Sequence, residues 1–92
     1  MIRSVFTATF EASFRALEPR QKNRARRAIE ILALYFEGGP RPLGLGLRKL
    51  RGDLWEVRAG LDLRVLFRLR DDAAVFMLVG THDDVRRALS RQ

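Results

Sequence analysis

The chain has 92 residues, 47% of them apolar and about a third charged, enough for one small domain with a core of its own and against a disordered tail. It has no cysteine, so disulfide staples and thiolate metal sites are excluded. Eighteen basic residues, sixteen of them arginine, stand against eleven acidic ones for a net charge of +7. Arginine's planar fork suits phosphate, so an anionic polymer is a natural partner; an acidic protein would satisfy the same field. Apolar runs are short and broken by arginine, and the N-terminus lacks the order of an export signal, so a cytosolic protein without a membrane span is expected.

Ile2 to Phe6 alternates and is rich in β-branched and aromatic residues, which predicts a short first strand. Thr7 or Thr9 can cap a helix whose Phe10, Phe14 and Leu17 fall on one side. Glu18-Pro19 interrupts it, because proline ends one helix and suits the first turn of another. The second helix is predicted over about Pro19 to Glu37, with Ala25, Ala28, Ile29, Leu32, Ala33 and Phe36 as its buried stripe. Arg20, Lys22, Arg24, Arg26 and Arg27 crowd its first turns, where positive charge opposes the helix dipole. Gly38-Gly39-Pro40 stops it, and a glycine- and proline-rich loop follows to Gly46.

From Leu47 the apolar period changes from 3.6 to 2. Leu54–Arg58, Asp62–Arg70 and Ala73–Gly80 read as three strands joined by tight turns, hence an antiparallel meander. Asp83 to Ser90 reads as a closing helical turn. The order strand, helix, helix, strand, strand, strand predicts an α+β fold, with one sheet packed on a helical hairpin, in a single domain spanning residues 1–92.

Alternation along Asp62–Arg70 sends Leu63, Val65, Phe67 and Leu69 toward the helices and Arg64, Arg68 and Arg70 to the other side. Arg58 on the preceding strand joins Arg64 there, and Arg48, Lys49 and Arg51 add cations at the sheet's edge. The expected result is a basic sheet surface opposite the helices. With Val75, Met77 and Val79 toward the core, Phe76, Leu78 and Gly80 would face the other way and His82 would emerge beside Arg64. That histidine, the chain's only one, suits proton transfer near neutral pH or a plain capping position. No second histidine or cysteine exists to complete a metal site, and no cofactor is expected.

These segments, "KLRGDLWEVRAGLDLRVLF" and "VFMLVGTHDDVRRAL", resemble the RelE/ParE superfamily of toxins from type II toxin–antitoxin modules. The likeness lies in a Lys-Leu-x-Gly segment, an aromatic-containing strand ending in a cation, and a strand opening with arginine. A glycine, a functional residue and a helix follow. It implies a RelE-like fold and either a metal-independent mRNA endonuclease acting with the ribosome or, alternatively, a ParE-like gyrase inhibitor or an inactive binding module. A cognate antitoxin is the implied partner in the toxin readings. In the nuclease reading Arg64 holds the scissile phosphate and Arg58 stands where the prototype has a catalytic lysine. His82, in a YafQ-like "GTH" context, handles the proton. Arg48, Lys49, Arg51, Arg68 and Arg86 would bind RNA. Glu56 and Arg86 occupy positions where the prototype carries a lysine and a tyrosine.

Overall fold

The computed structural model describes residues 2–91. Strand β1 (Arg3–Phe6) leads into helices α1 (Ala8–Arg15) and α2 (Pro19–Phe36). Strands β2 (Arg48–Arg51), β3 (Leu54–Arg58), β4 (Arg64–Arg70) and β5 (Ala73–Gly80) follow, and helix α3 (His82–Ser90) closes the order. The sheet runs β1-β5-β4-β3-β2, so after the helical hairpin the chain starts again at the far edge and meanders back. The first strand then lies parallel to the last. The meander has four strands, not the expected three: the cation-rich edge segment Arg48–Arg51 is itself a strand, paired with β3.

Local chemistry explains the boundaries. Thr7 Oγ1 accepts the Phe10 N–H at 3.1 Å, which caps α1, and donates to the Phe76 carbonyl at 2.9 Å, which ties that cap to β5. Gln21 accepts the Glu18 N–H at 2.9 Å and Pro19 opens α2. At the other end Gly38, with φ +98°, reverses the chain. Its N–H and that of Gly39 return to the carbonyls of Tyr35 and Leu34.

The helical hairpin covers one face of the sheet. Phe10, Ala25, Ala28 and Leu32 bury against Val57, Leu63, Val65, Phe67, Ala74, Phe76 and Val79. Ile29 and Phe36 pack beside them as predicted, while Ala33 is only half-buried.

The opposite face is not the open basic surface that alternation suggested. Helix α3 lies over β4 and β5, and Val85 and Leu89 pack on Leu50, Leu54, Leu66, Met77 and Leu78 in a second, smaller cluster. The expected phase of β5 also fails in its first half. Leu66 pairs with Leu78 but Phe67 pairs with Phe76, so Met77 is a bulge. Beyond it the side chains exchange faces: Phe76 and Ala74 point to the helical hairpin together with Val79, and Met77 and Leu78 point to α3. No helix among the described residues is long and apolar enough to cross a membrane.

Candidate nucleic-acid interface

The sheet register assembles the candidate site. Arg58 on β3 is the direct partner of Arg64 on β4, and Arg64 is the partner of Gly80 on β5. The neighbouring row runs Arg48, Glu56, Leu66, Leu78 from β2 to β5. Partners across a sheet share a face, so Arg58 and Arg64 leave the face opposite the helical hairpin side by side. Two like charges so placed repel one another, and an anion between them relieves the repulsion.

Glu56 moderates this charge. It is 2% exposed, and its Oε1 accepts from Arg48 Nε and from Arg64 Nη1 at 2.9 Å each. Arg64 is thereby held in a half-buried position, whereas Arg58 has no ion pair among the described residues. The Arg58 side chain lies against Gly46, where an added Cβ would come within 3.2 Å of it. Arg58 also shares a groove of about 340 Å³ with Arg24 and Arg27, so the basic surface continues to the first turns of α2. This gives the arginines of that helix a place in the same field.

Helix α3 supplies the imidazole. Thr81 caps it reciprocally with Asp84: the Thr81 N–H donates to Asp84 Oδ2 at 2.9 Å and the Asp84 N–H to Thr81 Oγ1 at 3.2 Å. The Thr81 backbone donor holds the Asp84 carboxyl below its ordinary value, with Arg87 assisting. Gly80 makes room for this cap, since a Cβ there would meet Asp84 Oδ2 at 2.6 Å.

His82 is the first residue of α3 and is exposed. With Val85 and Leu89 turned to the sheet, helical spacing puts His82 and Arg86 together on one flank. Asp84, Ala88 and Arg91 occupy the other flank, which lines a groove with Thr9, Ser13 and Leu17 of the helical hairpin. The His82 flank therefore looks toward β3 and β4, the side that carries Arg58 and Arg64. His82 makes no hydrogen bond or ion pair with protein groups among the described residues.

The remaining candidates divide. Arg86 sits one turn after His82 and faces Asp83 at 3.8 Å. Arg48 joins the site through Glu56. Arg51 donates to the Leu89 carbonyl at 3.1 Å and pins the end of α3. Arg68 and Arg70 are drawn to Asp53, at 2.5 and 2.6 Å, in the β2–β3 turn. Hydrogen bonds from Arg70 and Arg68 hold the Asp53 carboxyl below its ordinary value. Lys49 is the partner of Trp55, which packs in the hairpin-side core, so Lys49 leaves from that same face of the sheet, away from Arg58 and Arg64. Glu56 and Asp53 were not anticipated as organising residues. The signal for Glu56 was its place among arginines on the polar side of β3.

No family model matches the chain, and no curated protein matches it in sequence. Solved structures do match. A chain of the E. coli DinJ–YafQ toxin–antitoxin complex superposes with a TM-score of 0.74 at 17% identity, over 91% of this chain and 96% of that one. A chain of the RelB–RelE antitoxin–toxin complex from Methanococcus jannaschii gives 0.71 at 17% identity, with the same coverage. One from the RelE–RelB complex of Pyrococcus horikoshii gives 0.68 at 22%, over 87% and 93%. A helical hairpin on one face of a five-stranded mixed sheet, with α3 on the other, is thus the fold this chain shares with the RelE and YafQ toxins.

Proposed function

We propose that this protein is the toxin of a type II toxin–antitoxin pair and an endoribonuclease that cleaves mRNA on the ribosome. The observation that carries the reading is the cross-strand pair Arg58–Arg64, which shares its face of the sheet with the start of α3 and His82. Such a site has fixed donors and a proton carrier and needs no nucleophile of its own.

In this reading the RNA's 2′-hydroxyl attacks the adjacent phosphorus and loses its proton to solvent water. The P–O5′ bond breaks, and the His82 imidazolium gives a proton to the departing 5′-oxygen. The products are a 2′,3′-cyclic phosphate and a 5′-hydroxyl. Arg64 and Arg58 hold the non-bridging oxygens while negative charge gathers there. Arg48 and Arg86 would extend the grip along the strand.

The neighbours' antitoxin complexes support an antitoxin as partner. The net charge of +7 favours one that lays carboxylates over the basic face. The test is controlled expression of the wild type and of His82→Gln, reading growth, mRNA 5′ ends and DNA integrity together. The wild type is expected to arrest growth with new mRNA ends and intact DNA, and His82→Gln to abolish both effects while remaining folded. Broken DNA with intact mRNA would replace this reading with gyrase inhibition.

A further inference from the structure

We infer that Glu56 is a positioning residue for RNA cleavage: its buried carboxylate fixes the guanidinium of Arg64 so that its unused donors meet the phosphate in one orientation. The inference rests on the nuclease reading above.

A carboxylate that is 2% exposed carries a desolvation cost that pairing must offset, and an apolar side chain would fill the position without it, as Leu66 does in the adjacent place. The arrangement around Glu56 also goes beyond neutralisation. One oxygen, Oε1, takes both Arg48 Nε and Arg64 Nη1 at 2.9 Å, so the carboxylate acts as a pivot between two strands flanking its own. Arg64 has no other ion pair among the described residues. Its Nε and Nη2, parallel donors suited to two phosphate oxygens, remain uncommitted.

Together Arg48, Arg58, Arg64 and Glu56 carry three positive charges and one negative. Removing the negative charge would strengthen attraction for any RNA. The charge alone would repel the more highly charged transition state even more than the substrate, so the benefit of retaining it lies in the ordering: donors fixed in advance need no reorganisation as charge gathers on the phosphate.

Glutamine at position 56 separates these effects. Its amide oxygen can take the place of Oε1 and accept from both arginines, but without the negative charge these hydrogen bonds are roughly half as strong, so Arg64 is anchored less firmly. The experiment compares purified wild type, Glu56→Gln and His82→Gln for RNA affinity by anisotropy and for single-turnover cleavage at saturating RNA across pH. Thermal melting serves as the fold check. For Glu56→Gln we expect affinity equal to or tighter than wild type, a cleavage rate at least about ten-fold lower, and an unchanged pH optimum.

Wild-type rate in Glu56→Gln overturns the inference, and a faster rate makes Glu56 a mere brake and overturns it equally. If Glu56→Gln is unfolded, Arg48→Gln replaces it. Arg48 is exposed, and its loss leaves Glu56 tethered by one guanidinium. A several-fold slower step at saturating RNA then supports the inference and an unchanged step overturns it. Failure of the nuclease reading is distinct, because there the wild type itself does not cleave.

Discussion

Two carboxylates in this sheet each hold a pair of arginines, under different conditions. Asp53 sits in the β2–β3 turn and divides its load: Oδ1 takes Arg68 and Oδ2 takes Arg70, and its backbone carbonyl accepts the Leu69 N–H at 2.8 Å. Both side-chain oxygens and the backbone carbonyl of Asp53 thus accept from β4, and it works as a staple for the hairpin. Glu56 lies under the sheet's polar face and loads a single oxygen with both of its partners. The Asp53 clamp removes two cations from the surface that RNA would meet. The Glu56 clamp keeps one cation there and sets its direction. Counting arginines on a face therefore says less than asking which carboxylate each one answers to.

The largest expected effect follows from burial. Glu56→Ala removes the anchor beneath a half-buried Arg64, and by analogy with broken buried pairs should cost about 3 kcal/mol in urea unfolding. Asp53→Ala, at the more exposed clamp, should cost clearly less. Equal losses would break the comparison.

Gly80→Ala comes next. The new methyl would overlap the Asp84 side chain, at 2.6 Å from Oδ2 and 2.8 Å from Cβ, so the cap must shift, and overpacking of this kind costs about 1–3 kcal/mol. Because Gly80 is the partner of Arg64, cleavage should fall together with stability, whereas Asp53→Ala should spare cleavage.

Arg58→Gln should separate function from folding. Relief of like-charge opposition leaves stability unchanged or raises it by up to about 1 kcal/mol, while RNA affinity drops and its salt dependence becomes shallower.

The smallest effect is titrational. Asp53 and Asp84 both sit below the ordinary 3.8 in the folded chain. On acidification the unfolded chain takes up protons first, so the stability from these groups is complete above that value and drains away below it. Urea midpoints at about pH 5 and about pH 3 should differ less in an Asp53→Asn/Asp84→Asn double variant than in the parent.

Much of this architecture could be read from residues. Phe10, Phe14 and Leu17 announced one helix, the Glu18-Pro19 break another, and Leu63, Val65, Phe67 and Leu69 gave the phase of β4 and with it the pairing of Arg58 with Arg64. What escaped has a common physical cause. Strand β5 is apolar on both sides, so alternation carried no phase information and the Met77 bulge left no mark. The same two-sided apolar character was the trace of α3, which needs Leu66, Met77 and Leu78 beneath Val85 and Leu89. Strand β2 is an edge strand made mostly of cations, a composition that also describes a loop. The clamps depend on side-chain reach between strands, which spacing within one strand does not encode.

The parallel pairing of β1 with β5 has a temporal consequence. Arg3 to Phe6 take their ladder from Ala73 to Phe76, and Thr7 spans 69 positions to reach the Phe76 carbonyl. During synthesis β1 and its aromatic cluster wait for a partner translated well after them, and contacts of such long separation slow folding. Arg58, Arg64 and His82 come from β3, β4 and α3, so the candidate site likewise assembles only after α3 has followed β5 out of the ribosome.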